Sequence, residues 1–216
     1  VLVGDFLYAR AIQAVVDDAD LEVMRAFSAA TVAMTQAEVH QLQVLHDLRL
    51  EEAEYLEIVT GKTAVLMSAS CRVGALAAGA AARQVEALAA FGLHLGVGFQ
   101  LVDDALDYIA HEARLGKPVG SDFREGKITY PIIHLMRVAS PEDRDAVGAL
   151  ADQAALGNGA LEDLRALVAR YGGVPATMRL AEGYLQRALR CLEALPDSPA
   201  RRVLGRLAEF VLTRDR

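Results

Sequence analysis

Tryptophan is absent from this 216-residue chain, and cysteine and lysine are scarce, with two and three residues. Each shortage excludes something. Cys71 and Cys191 are too few and too widely separated for a disulfide framework or a zinc site, and read as buried thiols in a reducing, cytoplasmic setting. Although 53% of the residues are hydrophobic, no apolar run reaches the roughly 18 uncharged residues of a membrane span, and no signal peptide is visible. A net charge of −7 without a basic, aromatic-interleaved stripe excludes nucleic acid as a partner. Alternating strand patterns, low-complexity tracts, internal repeats and linkers are missing too.

What remains is helical periodicity, rich in Ala, Leu, Glu and Arg. The pattern predicts one all-α domain over residues 1–216, a large antiparallel helix bundle around a central cavity. Helices are expected near 1–16, 20–46, 51–79 and 83–110, followed by a loop to about 128. Further helices are expected near 130–139, 142–155, 160–171, 174–194 and 199–213. Ser140-Pro141-Glu142-Asp143 supplies an N-cap, a first-turn proline and early acids. Asp17, Asp18 and Asp20 read as a turn between helices. Ala26, Ala30, Ala33 and Ala37 form a small-residue stripe that serves either close helix packing or the wall of a tunnel. Met34, Met67 and Met136 suit core filling. Asp5 is open between a structural acid and a supporting role in a site. His40, His46, His94, His111 and His134 share no ligand spacing.

Chemistry concentrates in Phe99 to Tyr130, FQLVDDALDYIAHEARLGKPVGSDFREGKITY. At ~100° per residue, with Gln100 at 0°, Asp103 falls at roughly −60°, Asp104 at about +40° and Asp107 at about −20°. Leu101, Val102, Ala105, Leu106 and Ile109 occupy the opposite side. Three carboxylates on one arc repel each other unless a cation sits among them, and hard oxygen donors without His or Cys suit Mg²⁺. The alternative is a solvated acidic face. Of 22 basic residues only Lys62, Lys117 and Lys127 are lysines, and each follows a glycine, in GKT, GKP and GKI. Beside glycine a compact ammonium can approach a phosphate oxygen.

FQLVDDALDY with LGKPVGSDFREGKITYPIIHL resembles the second aspartate-rich motif and trailing lysine loop of the all-trans polyprenyl diphosphate synthases. GKTAVLMSAS resembles that family's earlier Lys-Thr motif, and VLVGDFLYARA the segment after its first aspartate-rich motif. AEVHQL and DFREGKIT are closest to long-chain bacterial members, the octaprenyl and decaprenyl type. The family's first aspartate-rich motif and upstream basic residues have no counterpart here, so the chain is expected to lack the N-terminal part of the domain.

The resemblance implies Mg²⁺-dependent, head-to-tail condensation of isopentenyl diphosphate with an allylic diphosphate, giving a long all-trans chain for quinone side chains. It implies Asp103, Asp104 and Asp107 as metal ligands, directly or through water, and Lys62, Lys117 and Lys127 on diphosphate. Thr63 and Gln100 would turn oxygen dipoles to the allylic cation, or else be ordinary helix polar residues. Lys62, Thr63, Gln100 and Asp103 are the expected catalytic residues. Gly116, Gly120 and Gly126 would hinge a lid. A homodimer is expected, with peripheral membrane contact for product release. The alternatives are a noncatalytic or regulatory subunit and a shorter-chain farnesyl or geranylgeranyl synthase. A terpene cyclase is disfavoured by the scarcity of aromatics.

Overall fold

The structure, a computed structural model, describes residues 1–109, 120–153 and 158–213. Among these residues there are helices, turns and coil and no strand. Helices α1 (Leu2–Asp18) and α2 (Leu21–Gln43) meet at Ala19, whose φ of 57° is left-handed. Asp20 caps α2 by accepting from the N–H groups of Glu22 and Val23, at 2.7 and 3.4 Å. The acidic run at 17–20 is thus a helix boundary, as its composition predicts. Asp5 is exposed on α1, a helix with no buried residue.

Residues 52–77 depart from the single helix expected. They form α3 (Glu52–Val59), a π-helical turn (Thr60–Ala64) and α4 (Val65–Ala77). The wider turn carries Lys62 and Thr63, a placement common for such turns at functional sites. It lies tight on α2, because a Cβ added to Gly61 would fall 2.7 Å from the Ala37 Cβ and 3.3 Å from the Ala33 carbonyl oxygen. Gly61 therefore serves helix contact rather than approach to a phosphate. Ala37 belongs to that packing, while Ala26, Ala30 and Ala33 line a groove of about 290 Å³ with Val65, Ser68 and Ala69. Close packing thus accounts for Ala37, and the groove is the feature on which the tunnel reading of the other alanines turns.

Helix α5 (Ala82–Ile109) is the axis of the core. Its length and apolarity would suit a membrane span, yet 56% of its most apolar window is buried inside the protein. Gly92 lets α4 approach and Gly96 the π-helical turn, since a Cβ there would lie 2.5 Å from the Met67 carbonyl oxygen and the Ala64 Cα respectively. Phe91, Leu101, Ile132, Leu135, Leu164 and Leu185 are wholly or almost wholly buried around this axis, each such side chain contributing about 2 to 3 kcal/mol of transfer free energy. Ile109, expected on the core side, is 49% exposed.

After α5 come α6 (Ser121–Arg124), α7 (Tyr130–Val138), α8 (Pro141–Gln153), α9 (Asn158–Arg170), α10 (Gly173–Cys191) and α11 (Pro199–Thr213). The Ser140 hydroxyl accepts from the Asp143 N–H at 3.2 Å, the expected cap. Arg165 donates to the carbonyl of Tyr108 at 2.9 Å, tying α9 to α5. His40 pairs with Glu54 at 2.8 Å, His134 faces Arg137, and both cysteines are free. His111 lies outside the described residues.

Candidate active site

Around α3, the π-helical turn and α5 lies a cavity of about 180 Å³, closed on its far side by the turn after α2 and by residues 122–129. Gln41, Lys62, Thr63, Gln100, Asp103 and Lys127 line it, with Asp104 and Asp122. Six residues chosen from sequence, Lys62, Thr63, Gln100, Asp103, Asp104 and Lys127, therefore share one site. Asp107 does not line the cavity, and Lys117 and Gly116 lie outside the described residues.

The three carboxylates of α5 have different surroundings. Asp103 is exposed at the cavity, whereas Asp104 and Asp107 are buried, 3% and 9% exposed. Both oxygens of Asp104 accept hydrogen bonds, from the Tyr55 hydroxyl at 2.5 Å and the Gln100 amide at 2.8 Å. Burial pushes the Asp104 carboxyl up to about 7; the two donors oppose the shift, and Asp122 and Asp103 add to it. Asp107 accepts from the Ser121 N–H and hydroxyl and from the Asp122 N–H, at 3.2 to 3.3 Å, so it anchors the start of α6. Burial, reinforced by Asp122, raises its pKa against those bonds.

The three acids expected as metal ligands thus sit at different depths, with Asp103 and Asp104 lining the cavity and Asp107 outside it. Among the described residues no group of three or more His, Cys, Asp or Glu side chains could hold a metal ion. A shared helical arc fixed direction but not depth, and two of the acids point to donors on α3 and α6. The cavity still fits Mg²⁺, which is usually held by one or two carboxylates plus substrate phosphates rather than by a protein cage. Asp103 and Asp122 are the carboxylates suited to that role, and every uncharged polar donor nearby is an oxygen or amide.

The cations are held ready by acids. Lys62 Nζ lies 2.7 Å from Glu38 and donates to Gln41 Oε1 at 2.6 Å. Lys127 Nζ lies 2.6 Å from Glu125 and 3.2 Å from Asp122. Burial lowers the Lys127 pKa, but these carboxylates outweigh it and the net shift is upward, so the ammonium persists. Gly120 and Gly126 have left-handed φ of 74° and 81°, and a Cβ on them would strike Leu161 at 2.1 Å and the His46 ring at 2.3 Å. Two of the three glycines expected to hinge a lid thus form closely packed turns that require a glycine. The His46 N–H also donates to the Gly126 carbonyl at 2.7 Å, which ties the turn after α2 to the Lys127 segment.

Sequence reasoning missed four of the site's side chains: Tyr55, Glu38, Gln41 and Asp122. Asp122 stands within GSDFREGK, and Glu38 and Gln41 within AEVHQL, segments already singled out for other reasons. Tyr55 comes seven residues before Lys62, a spacing of about two helical turns that could have brought it to the same face.

An all-helical bundle bearing ammoniums, carboxylates and oxygen dipoles around one polar cavity suits diphosphate chemistry. The polyprenyl synthetase profile matches residues 1–168. The chain belongs to the polyprenyl synthetase family. It is 36% identical to an octaprenyl diphosphate synthase of Escherichia coli (strain K12), over all of this chain and 67% of that protein. A decaprenyl diphosphate synthase from Rhodobacter capsulatus superposes with a TM-score of 0.91 at 39% identity, over all of this chain and 66% of that one. A polyprenyl synthase from Caulobacter crescentus CB15, complexed with calcium and isoprenyl diphosphate, superposes with a TM-score of 0.94 at 37% identity, again over all of this chain and 66% of that one. The chain thus spans about two thirds of the length of these polyprenyl synthetase relatives, and shares their helical fold.

Proposed function

We propose that this polyprenyl synthetase joins an allylic diphosphate to isopentenyl diphosphate head to tail, releasing pyrophosphate and adding five carbons, and that it makes long all-trans products. The observation that carries this is the single cavity holding Lys62, Lys127, Asp103 and Asp122 beside the Thr63 and Gln100 oxygens. The likeness to long-chain synthases supports the product class. That a relative was solved with a divalent cation and an isoprenyl diphosphate supports the ligand class.

The costly step is breaking the allylic C–O bond, which leaves negative charge on the departing diphosphate. Lys62 and Lys127 place fixed ammoniums where that charge develops, as would Lys117 by its motif. Mg²⁺, when bound at Asp103 and Asp122, would supply further charge neutralisation on phosphate oxygens. Thr63 donates to Gln100 Oε1 at 2.9 Å, which holds both side chains at the cavity with lone pairs available to an allylic cation. The new C–C bond forms as the isopentenyl double bond attacks, and loss of a proton from the adjacent carbon restores an alkene. The reading carries with it a single prenyltransferase domain, a homodimer, peripheral membrane contact and a cytoplasmic location. The test is Mg²⁺-dependent incorporation of labelled isopentenyl diphosphate into extracted polyprenyl product, which EDTA should abolish. A protein that binds both diphosphates without condensing them would end the proposal.

Two substitutions probe the parts. Lys62→Ala should raise the KM for a diphosphate substrate by an amount equivalent to about 1 to 2 kcal/mol, the size of a half-exposed charge-assisted bond, with Lys62→Arg rescuing only in part. Full rescue would mark Lys62 as a generic surface cation held by Glu38. Ala30→Phe puts a ring into the groove beside Val65 and Ala69. If that groove takes the growing chain, product analysis should show shorter polyprenols at a similar initial rate. Unchanged chain length with a stability loss of roughly 1 to 3 kcal/mol would make the groove a packing seam.

A further inference from the structure

We infer that Tyr55 is a positioning residue, which acts through Asp104 to fix the orientation of the Gln100 side chain at the reacting end of the cavity. Four side chains form one directed chain. The Tyr55 hydroxyl donates to Asp104 Oδ2 at 2.5 Å, the Gln100 amide donates to Asp104 Oδ1 at 2.8 Å, and the Thr63 hydroxyl donates to Gln100 Oε1 at 2.9 Å. The order is set by the bonds themselves: Gln100 turns its NH₂ group to Asp104 Oδ1, and its carbonyl oxygen therefore points the other way, to accept from Thr63.

Tyr55 in turn is fixed. It is 4% exposed, and its ring lies against that of Tyr130, with centroids 5.9 Å apart. Tyr130 donates to Glu52 at 3.1 Å, one turn earlier on α3. The backbone of α3 therefore holds the phenol, the phenol holds one oxygen of Asp104, and the other oxygen is left for Gln100. Without the hydroxyl, a buried carboxylate would lack a donor and both its oxygens would compete for the one amide. Gln100 would then rotate between them and its carbonyl would leave Thr63. All four residues line the cavity. The catalytic consequence rests on the prenyl-transfer reading above, whereas the clamp itself does not.

The test is Tyr55→Phe, which keeps the ring against Tyr130 and deletes only the hydroxyl. In protein labelled with ¹⁵N at glutamine side chains, the Gln100 carboxamide, assigned with Gln100→Ala, should shift and exchange with solvent at least ~10-fold faster in Tyr55→Phe. For condensation, kcat should fall about 10-fold while KM for both diphosphates stays within about 2-fold, because Lys62, Lys127 and Asp103 are untouched. In a Gln100→Ala background, Tyr55→Phe should cost less than about 2-fold more. An unmoved Gln100 resonance with unchanged kcat would overturn the proposal, as would an equal loss in both backgrounds, which marks a general structural effect. Should Tyr55→Phe fail to fold, wild type still decides: its Gln100 carboxamide should be protected from exchange, and a freely exchanging one would overturn the clamp. A wild type without condensation activity would instead end the prenyl-transfer reading, with the Gln100 resonance still testing the clamp.

Discussion

Asp103→Ala is expected to lower kcat for condensation by roughly 10² to 10³-fold, with the helical circular dichroism and the melting temperature close to wild type. Of the three acids on α5, Asp103 is the exposed one, and it lines the cavity with Gln100 and Asp122. Its carboxylate therefore adds little to folding and is well placed for a cation shared with diphosphate. Asp107→Ala should behave in the opposite way. It removes the acceptor that anchors Ser121 and Asp122, so stability should drop by about 1 to 3 kcal/mol, with activity falling indirectly as residues 121–127 loosen. Turnover by Asp103→Ala near that of wild type would remove the metal assignment at this position.

Helix type was legible because burial in this chain follows period 3.6 with few ambiguities, whereas the division of 52–77 and the short α6 inside the expected loop were not. Asp103 and Asp104 of the DDALD arc share one cavity with Lys62 and Lys127, and carboxylates and ammoniums on an apolar bundle have little reason to gather unless a ligand joins them. Depth was not legible. Asp104 and Asp107 lie within the same acidic arc as Asp103, yet their surroundings depend on Tyr55 from 49 residues earlier and on the α6 backbone. Nor was the break at Thr60–Ala64 visible, because TGKTA has the composition of ordinary helix with one glycine. The π-helical turn follows from the contact between Gly61 and Ala37, a tertiary event. The glycines beside lysines were similarly ambiguous: in sequence they look like flexibility, and in the fold Gly61 and Gly126 are occupied by close neighbours.

The burial of Asp104 has a consequence for stability whose sign can be worked out. Its pKa rises from the ordinary 3.8 to about 7, chiefly because burial disfavours the charged form. The folded protein thus holds the proton more tightly than the unfolded chain. Its contribution to stability is fullest below the unfolded value and is lost as pH rises through about 7. Asp107, also raised by burial, acts in the same direction, while His94 and His134, lowered by burial, act in the opposite one. These cancel when Asp104→Asn is compared with wild type at each pH. The asparagine keeps the volume and one acceptor for Tyr55, and its loss of the Gln100 bond is a pH-independent cost of about 1 kcal/mol. Relative to wild type, the variant should therefore gain about 2 to 3 kcal/mol between pH 5 and pH 8, as a carboxylate that must ionise in the core gives way to an amide that does not. Urea unfolding in EDTA at the two pH values measures this. A difference that stays constant with pH would mean that Asp104 ionises as readily folded as unfolded, and that its two hydrogen bonds fully offset its burial.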